Sequence, residues 1–333
     1  AGGVPGDDAA IVARHLVGAN LAGHDSHGVL RIPQYLQYLR DGKFRVGVEL
    51  DILHETPAVL AADANWGLGQ VQAHRLLARL IPKVKALGVA AGTLRNCAHT
   101  GRLGEYAETA AAAGVAFFGT VNSHGAGRRV APPGGIEGRI STNPICLGVP
   151  TAGDPVILDF GTSAVAEGKV RTYYQTRQPV PEGWLLDHAG RPTTNPAVLY
   201  EEPRGTILPF GGPQAYKGFG LGLLLDLLAG GLSGGACSNP AAPLAGVGNA
   251  VLFVLFDPTF FGGVECFLKQ TTELAAYVRA CPPASGVACI TLPGDPERAM
   301  RAKRTANGIP IPDETWALLV KEAETWGVPI PLP

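Results

Sequence analysis

The hydrophobic and polar positions fall into three regimes along the chain. In the first, Val12, Leu16 and Ala19 recur at helical spacing behind the acidic pair Asp7-Asp8, with Gly23 as the stop, so a helix is expected over 9–21. Pro33 suits the first turn of a second helix carrying Tyr35, Leu36 and Leu39, closed by Asp41-Gly42. The intervening HDSHG therefore reads as a loop between two helices. Leu77, Leu80, Val84 and Leu87 form one stripe of a helix running from Trp66 to Leu87.

The middle regime is built from short apolar runs, VAAGTLRN, VAFFGTVN, PICLGVP and PVILDFG, punctuated by Gly, Pro and Asn as buried strands are. Helical patterns over Arg102–Ala113, Ala164–Tyr174 and Lys217–Leu232 interleave with them. AVLFVLF reads as a further strand, Pro258–Cys281 as a long helix and VACITLPG as another strand. The last regime, PERAMRAKRTANG and PDETWALLVKEAETWG, is helical again. This order predicts a mixed α/β centre flanked by a helical layer built from both chain ends. At about 150 residues per domain, 333 residues suit two domains. We divide them as 1–65 plus 295–333, a helical substrate and dimer domain, and 66–294, a mixed-sheet cofactor domain.

Composition narrows the function. Lys plus Arg is 27 and Asp plus Glu 28, so no global field recruits nucleic acid or an acidic membrane, and a small, locally recognised substrate is expected. The longest apolar stretch, Gly218 to Leu232, is interrupted by Asp226 and is shorter than the ~20 residues of a membrane span. AGGVPGDDAA lacks the basic-then-apolar order of a secretory signal. Six dispersed cysteines without a CxxC pair read as reduced thiols of a cytoplasmic protein.

Motif searches return little. No GxGxxG opens a helix after a strand, so a Rossmann dinucleotide fold receives no support. GTSAVAEGKV has six residues between Gly161 and Gly168 and Val170 where a phosphate loop needs a hydroxyl. Gly231-Leu232-Ser233-Gly234-Gly235 matches the GxSxG of hydrolases but sits at a helix end, where glycines terminate helices. His24, Asp25, His27, His99 and His124 include metal-ligand types without metal-site spacing, and no metal is expected.

Two loops concentrate chemistry. Asp25-Ser26-His27-Gly28 with Arg31 and Tyr35 brings a proton-exchanging imidazole, a hydroxyl, a guanidinium fork suited to a carboxylate and a phenol within eleven residues. The same residues also suit a capped turn with a solvated histidine and a surface arginine, and both readings stand. Arg95-Asn96-Cys97-Ala98-His99-Thr100-Gly101, between a strand and a helix, offers a second acid/base histidine. VNSHGAG and STNP follow or precede strands, and their hydroxyls and amides suit either a ligand or ordinary turns.

Together, GDDAAIVARHLVGANLAGHDSHGVLRIPQY, NCAHTGRLGEYAE, VAPPGG, STNP, LDFGTSAVAEGKV, GRPTTNPAVL, YKGFGLGLLLDLLAGGLSGG and LPGDPE resemble the malate/L-lactate dehydrogenase family that is unrelated to the Rossmann lactate dehydrogenases. TTNPAVL and EEPRGTILPF are most similar to its broad hydroxycarboxylate branch. The resemblance implies a non-Rossmann, mixed and largely antiparallel sheet in a homodimer. It implies reversible hydride transfer between NAD or NADP and a 2-oxo/2-hydroxy acid, without a metal. Ser26 and His27 match a proton relay of imine-reducing relatives, and His99 matches the acid/base of ureidoglycolate-type relatives. Arg31 and Tyr35 match substrate contacts, with Thr142 and Asn143 lining the same cleft. Ser123, Asp159, Phe160, Gly161, Lys217, Gly294 and Asp295 match cofactor contacts. Departures from the family pattern are NCAHTG for NSxHFG, STNP for GTNP, DFGTS for DMATS and a longer connection before Lys217. Lys169 replaces the relay aspartate of imine reducers, which points away from an imine substrate. Cyclic-imine reduction and, further off, a metal- or serine-dependent hydrolase are the alternatives carried forward.

Overall fold

A computed structural model describes residues 2–123, 127–238 and 248–330. His124, one of the histidines considered above, lies outside the described residues. The chain opens with α1 (Gly6–Leu21), two 3₁₀ turns at Asp25–His27 and Val29–Arg31, and α2 (Ile32–Arg40). β1 (Asp51–Glu55), β2 (Val59–Asp63), α3 (Gly69–Leu87), β3 (Val89–Cys97), α4 (Gly104–Ala112), β4 (Ala116–Val121), β5 (Pro144–Val149) and β6 (Val156–Gly161) follow. Then come α5 (Glu167–Gln175), the short β7 (Leu185–Leu186), β8 (Pro192–Thr193) and β9 (Thr206–Ile207), and α6 (Ala215–Asp226) with a π turn at Leu227–Gly231. β10 (Asn249–Phe256), α7 (Val264–Arg279), α8 (Asp295–Asn307) and α9 (Asp313–Thr325) complete the described chain.

Seven strands form one sheet in the order β1-β2-β3-β10-β4-β5-β6, in which only β2 and β3 run parallel. The expected mixed, mainly antiparallel sheet is therefore present. β10 is the centre, because its apolar run pairs with β3 on one side and β4 on the other. α3 packs on β3 and β10 and α4 on β4 and β5, and the core between them holds Leu76, Leu80, Tyr106, Phe117 and Phe253. Burying each such side chain contributes about 1.5–3 kcal/mol. Two smaller cores flank it. One joins α5 to the three-stranded sheet β8-β7-β9 through Val170, Leu185, Leu199 and Ile207. The other joins α1 and α2 through Leu16, Tyr35, Phe44 and Val71. α8 lies on α1 and α9 on α2, so the helical layer does come from both chain ends.

Two readings change. VACITLPG is not a strand: Val287 is exposed, Ile157 of edge strand β6 makes only one backbone hydrogen bond to Pro293 (3.1 Å), and the run passes the sheet edge as a loop. Its apolar composition imitates a strand, yet most of its side chains are exposed. Conversely, β1 and β2 lie within the segment assigned to the helical domain, yet both are strands of the large sheet. β1 is exposed throughout, so no apolar alternation marks it.

Candidate active site

The loop after α1 is held from several sides. Asn20, buried at the end of α1, accepts the Val29 N–H on Oδ1 (2.9 Å) and donates from Nδ2 to Asp25 (2.6 Å). From α8, Arg304 reaches back to the Asp25 carboxylate with both terminal nitrogens, at 2.6 and 3.0 Å. Asp25 is thus a structural anchor of the loop. Ser26 Oγ lies 3.0 Å from His27 Nδ1, and Arg31 donates from Nε to the Ser26 carbonyl (2.7 Å) and from Nη1 to Gln34 (2.8 Å). α5 approaches so closely that a Cβ on Gly168 would lie 2.7 Å from the Ser26 Cβ, which explains glycine there.

The second loop carries His99 from the end of β3 toward α4. It turns at Gly101, with φ +76°, where a Cβ would lie 2.4 Å from His15 Nε2. That nitrogen accepts the Arg102 N–H at 2.9 Å. His15 Nδ1 is 3.2 Å from Glu105, and His74 is 3.3 Å from the same carboxylate. Burial pushes the Glu105 carboxyl up, but hydrogen bonds from the two imidazoles outweigh it and hold the group well below the carboxylate range. Two histidines and a carboxylate in one place resemble a metal site. The ring hydrogen of His15, however, must sit on Nδ1, since Nε2 is an acceptor, and a protonated nitrogen is no ligand. The trio braces the His99 loop.

The two loops meet. The rings of His27 and His99 stack 5.5 Å apart at 21°, and the Tyr35 hydroxyl is 2.6 Å from His99 Nδ1. Burial, followed by the Arg31 charge, lowers His27 to about 3 and His99 well below the ordinary histidine value. Both imidazoles are therefore neutral near pH 7. Burial pushes the Tyr35 phenol up to about 12.

His27, His99 and Arg31 line a cleft of about 320 Å³ whose other walls include Ser123 and Thr142. The remaining sequence-derived residues sit elsewhere. Tyr35 is buried behind His99, and Ser26 backs His27. Asn143 is buried, its Nδ2 donating to the Gly222 carbonyl (2.9 Å) and Asp226 (3.0 Å) while Oδ1 has no partner among the described residues. Gly161 abuts the Thr142 carbonyl and Phe160 stands edge-on to Phe210. Asp159 turns away to accept the Gly104 N–H at the start of α4 (2.7 Å), and burial raises its pKa. Asp295 binds Arg279 (2.9 Å) and Arg298, beside Gly294. Lys169 and Lys217 are exposed and do not line the cleft, so Lys169 is not placed to act as a relay. Ser233 is buried in its own turn, bonded to the Gly230 carbonyl (3.2 Å) and the Gly235 N–H (3.1 Å), and is no nucleophile elbow.

The structure adds Gln34, Arg129, Glu167, Arg171 and Asn249 to the cleft, and Gln70 behind it. Only Gln70 left a trace in the sequence, as a polar residue on the buried side of an amphipathic helix. Ser123, Ser141 and Thr142 bring hydroxyls to the cleft, and Arg129 and Arg171 bring guanidiniums, Arg171 paired with Glu167 at 2.9 Å; such donors fit a polar, phosphate-bearing ligand.

Comparison with known proteins places this geometry in a family. The model of the family described as malate/L-lactate dehydrogenase matches residues 1–320. Hydroxycarboxylate dehydrogenase B of Escherichia coli is 38% identical over 327 residues, covering 97% of this chain and 89% of that protein. The structure of malate dehydrogenase from Pyrococcus horikoshii superimposes with a TM-score of 0.88 at 31% identity, covering 98% and 91% of the two chains. Δ1-Piperideine-2-carboxylate reductase from Pseudomonas syringae superimposes with a TM-score of 0.82 at 31% identity, covering 95% and 92%. With its fold, its two convergent loops and a match along almost its whole length, this chain belongs to the malate/L-lactate dehydrogenase family and is an enzyme.

Proposed function

We propose that the protein interconverts a 2-oxo acid and a 2-hydroxy acid with NAD or NADP as the redox partner. The observation that carries this reading is the convergence of Arg31, His27 and His99 on one cleft. Arg31 has its Nε and Nη1 tied to Ser26 and Gln34, which orients the guanidinium for the substrate carboxylate. The histidines then flank the oxygen on the neighbouring carbon. The hydride for that carbon would come from a reduced nicotinamide when one is bound. The chain's own task is to hold the acid in register and to manage the proton on the oxygen, taken up in reduction and released in oxidation. A neutral imidazole is ready to accept it in the oxidative direction, and a carboxylate bound at Arg31 offsets the charge that opposes its protonation.

Reduction of a cyclic imino acid is the second reading, supported by similarity to the piperideine-carboxylate reductase. The exposed position of Lys169 weighs against it. We further infer a homodimer in the reducing cytoplasm. Leu224 (59% exposed), Leu232 (60%) and Tyr277 (78%) offer apolar surface for a second copy, and all six cysteines are unpaired. No helix among the described residues is long and apolar enough to cross a membrane. The test is nicotinamide absorbance across a panel of 2-oxo acids and a cyclic imino acid against both dinucleotides. Turnover of the oxo acids is expected; turnover of the imine alone overturns the main reading.

A further inference from the structure

Gln70 has no part in the chemistry above, yet it is fully buried and joined to it. Its Nε2 donates to the Tyr35 hydroxyl at 2.9 Å, and that hydroxyl lies 2.6 Å from His99 Nδ1. A phenol has one hydrogen. With its oxygen receiving the Gln70 N–H, the phenol hydrogen has His99 Nδ1 as its acceptor among the described residues, and that arrangement leaves the hydrogen of the neutral imidazole on Nε2. The high Tyr35 pKa keeps the phenol hydrogen in place at working pH.

We propose that Gln70 is a positioning residue: acting through Tyr35, it locks His99 in the Nε2–H tautomer, so that this ring presents a hydrogen-bond donor to the substrate's carbonyl oxygen. The assignment rests on the 2-oxo acid reading of the cleft. It also divides the work between the two histidines. Among the described residues, His27 Nδ1 is partnered by the Ser26 hydroxyl, which donates and accepts equally well, so His27 is free to change tautomer and exchange the proton. His99 polarises the carbonyl as a neutral donor, a role open to an imidazole whose pKa is depressed.

The experiment is two-bond ¹H–¹⁵N correlation NMR of ¹⁵N-histidine-labelled protein at neutral pH, with the His99 signals assigned through His99→Gln. The wild type is expected to show a protonated Nε2 and an acceptor Nδ1. Gln70→Leu is expected to give mixed tautomers and to lower kcat by about tenfold to hundredfold, less than the roughly 10⁴-fold cost of a wrong tautomer in a catalytic triad. KM should change little. Should Gln70→Leu fail to fold, Tyr35→Phe is expected to release the same tautomer lock. A wild-type ring hydrogen on Nδ1, or variants that leave tautomer and kcat unchanged, overturns the proposal. Absence of oxo-acid turnover in the wild type sinks the reading of the function instead, because the tautomer is read without turnover.

Discussion

At the scale of single residues, stacked His27 and His99 are kept neutral by burial and by the Arg31 charge, and both consequences are measurable. His27→Ala or His99→Ala is expected to lower turnover of a 2-oxo acid by about 10²–10⁴, the usual worth of a positioned acid/base group. Steady-state rates on each variant check this, and near-normal turnover in both removes the histidines from the chemistry. Arg31→Lys is expected to raise KM more than it lowers kcat, since an ammonium cannot reproduce a two-pronged grip on a carboxylate. Stability carries a sign of its own. An unfolded His27 takes up a proton near 6.5 and the folded one only near 3, so between these values the unfolded chain binds more protons. Stability contributed by the neutral ring is whole above 6.5 and drains away as pH falls toward 3. Denaturation midpoints at about pH 7.5 and about pH 5 should therefore fall less in His27→Gln than in the wild type.

At the scale of elements, the DSHG loop keeps its shape because helices from distant parts of the chain close on it. Arg304 on α8 grips Asp25, while α5 abuts Ser26 through Gly168. Arg304→Met is expected to cost about 1–2 kcal/mol in urea denaturation, the value of a charge-assisted pair discounted for the half-exposed Asp25. It should also raise KM, because the loop that carries His27 and Arg31 is loosened. An unchanged KM would mean that the loop holds its form without α8. The strands teach a related lesson. VACITLPG has the composition of a strand and makes a single backbone hydrogen bond to β6, whereas exposed β1 has no strand pattern and is recruited by β2. Pairing depends on what lies alongside, which no local window contains.

For the whole molecule, α6, the end of the π turn after it and α7 carry apolar side chains outward, among them Leu224, Leu232 and Tyr277. Leu224→Asp together with Tyr277→Asp is expected to shift sedimentation from dimer to monomer. A wild type that sediments as a monomer at micromolar concentration removes the second copy from the picture. α6 also touches the cleft region through the Asn143 bond to the Gly222 carbonyl, so dissociation should lower activity as well.

Helix periodicity, the strand-rich centre and the DSHG loop with Arg31 and Tyr35 were all determined by the sequence, because each depends on neighbours within a few residues. The pairing of His27 with His99 across 72 positions was not, nor was the identity of Gln70 as the partner of Tyr35. Arg129 and Arg171 read as ordinary charges along the chain and become cleft walls only when β4, β5 and α5 converge. The resemblance put Asp159, Lys169 and Lys217 in the site, but the direction of a side chain is set by packing: Asp159 turns to the α4 N-terminus and both lysines to solvent. Local pattern decides which elements form, whereas the meeting of polar groups far apart in sequence is decided by how the buried faces of those elements fit together.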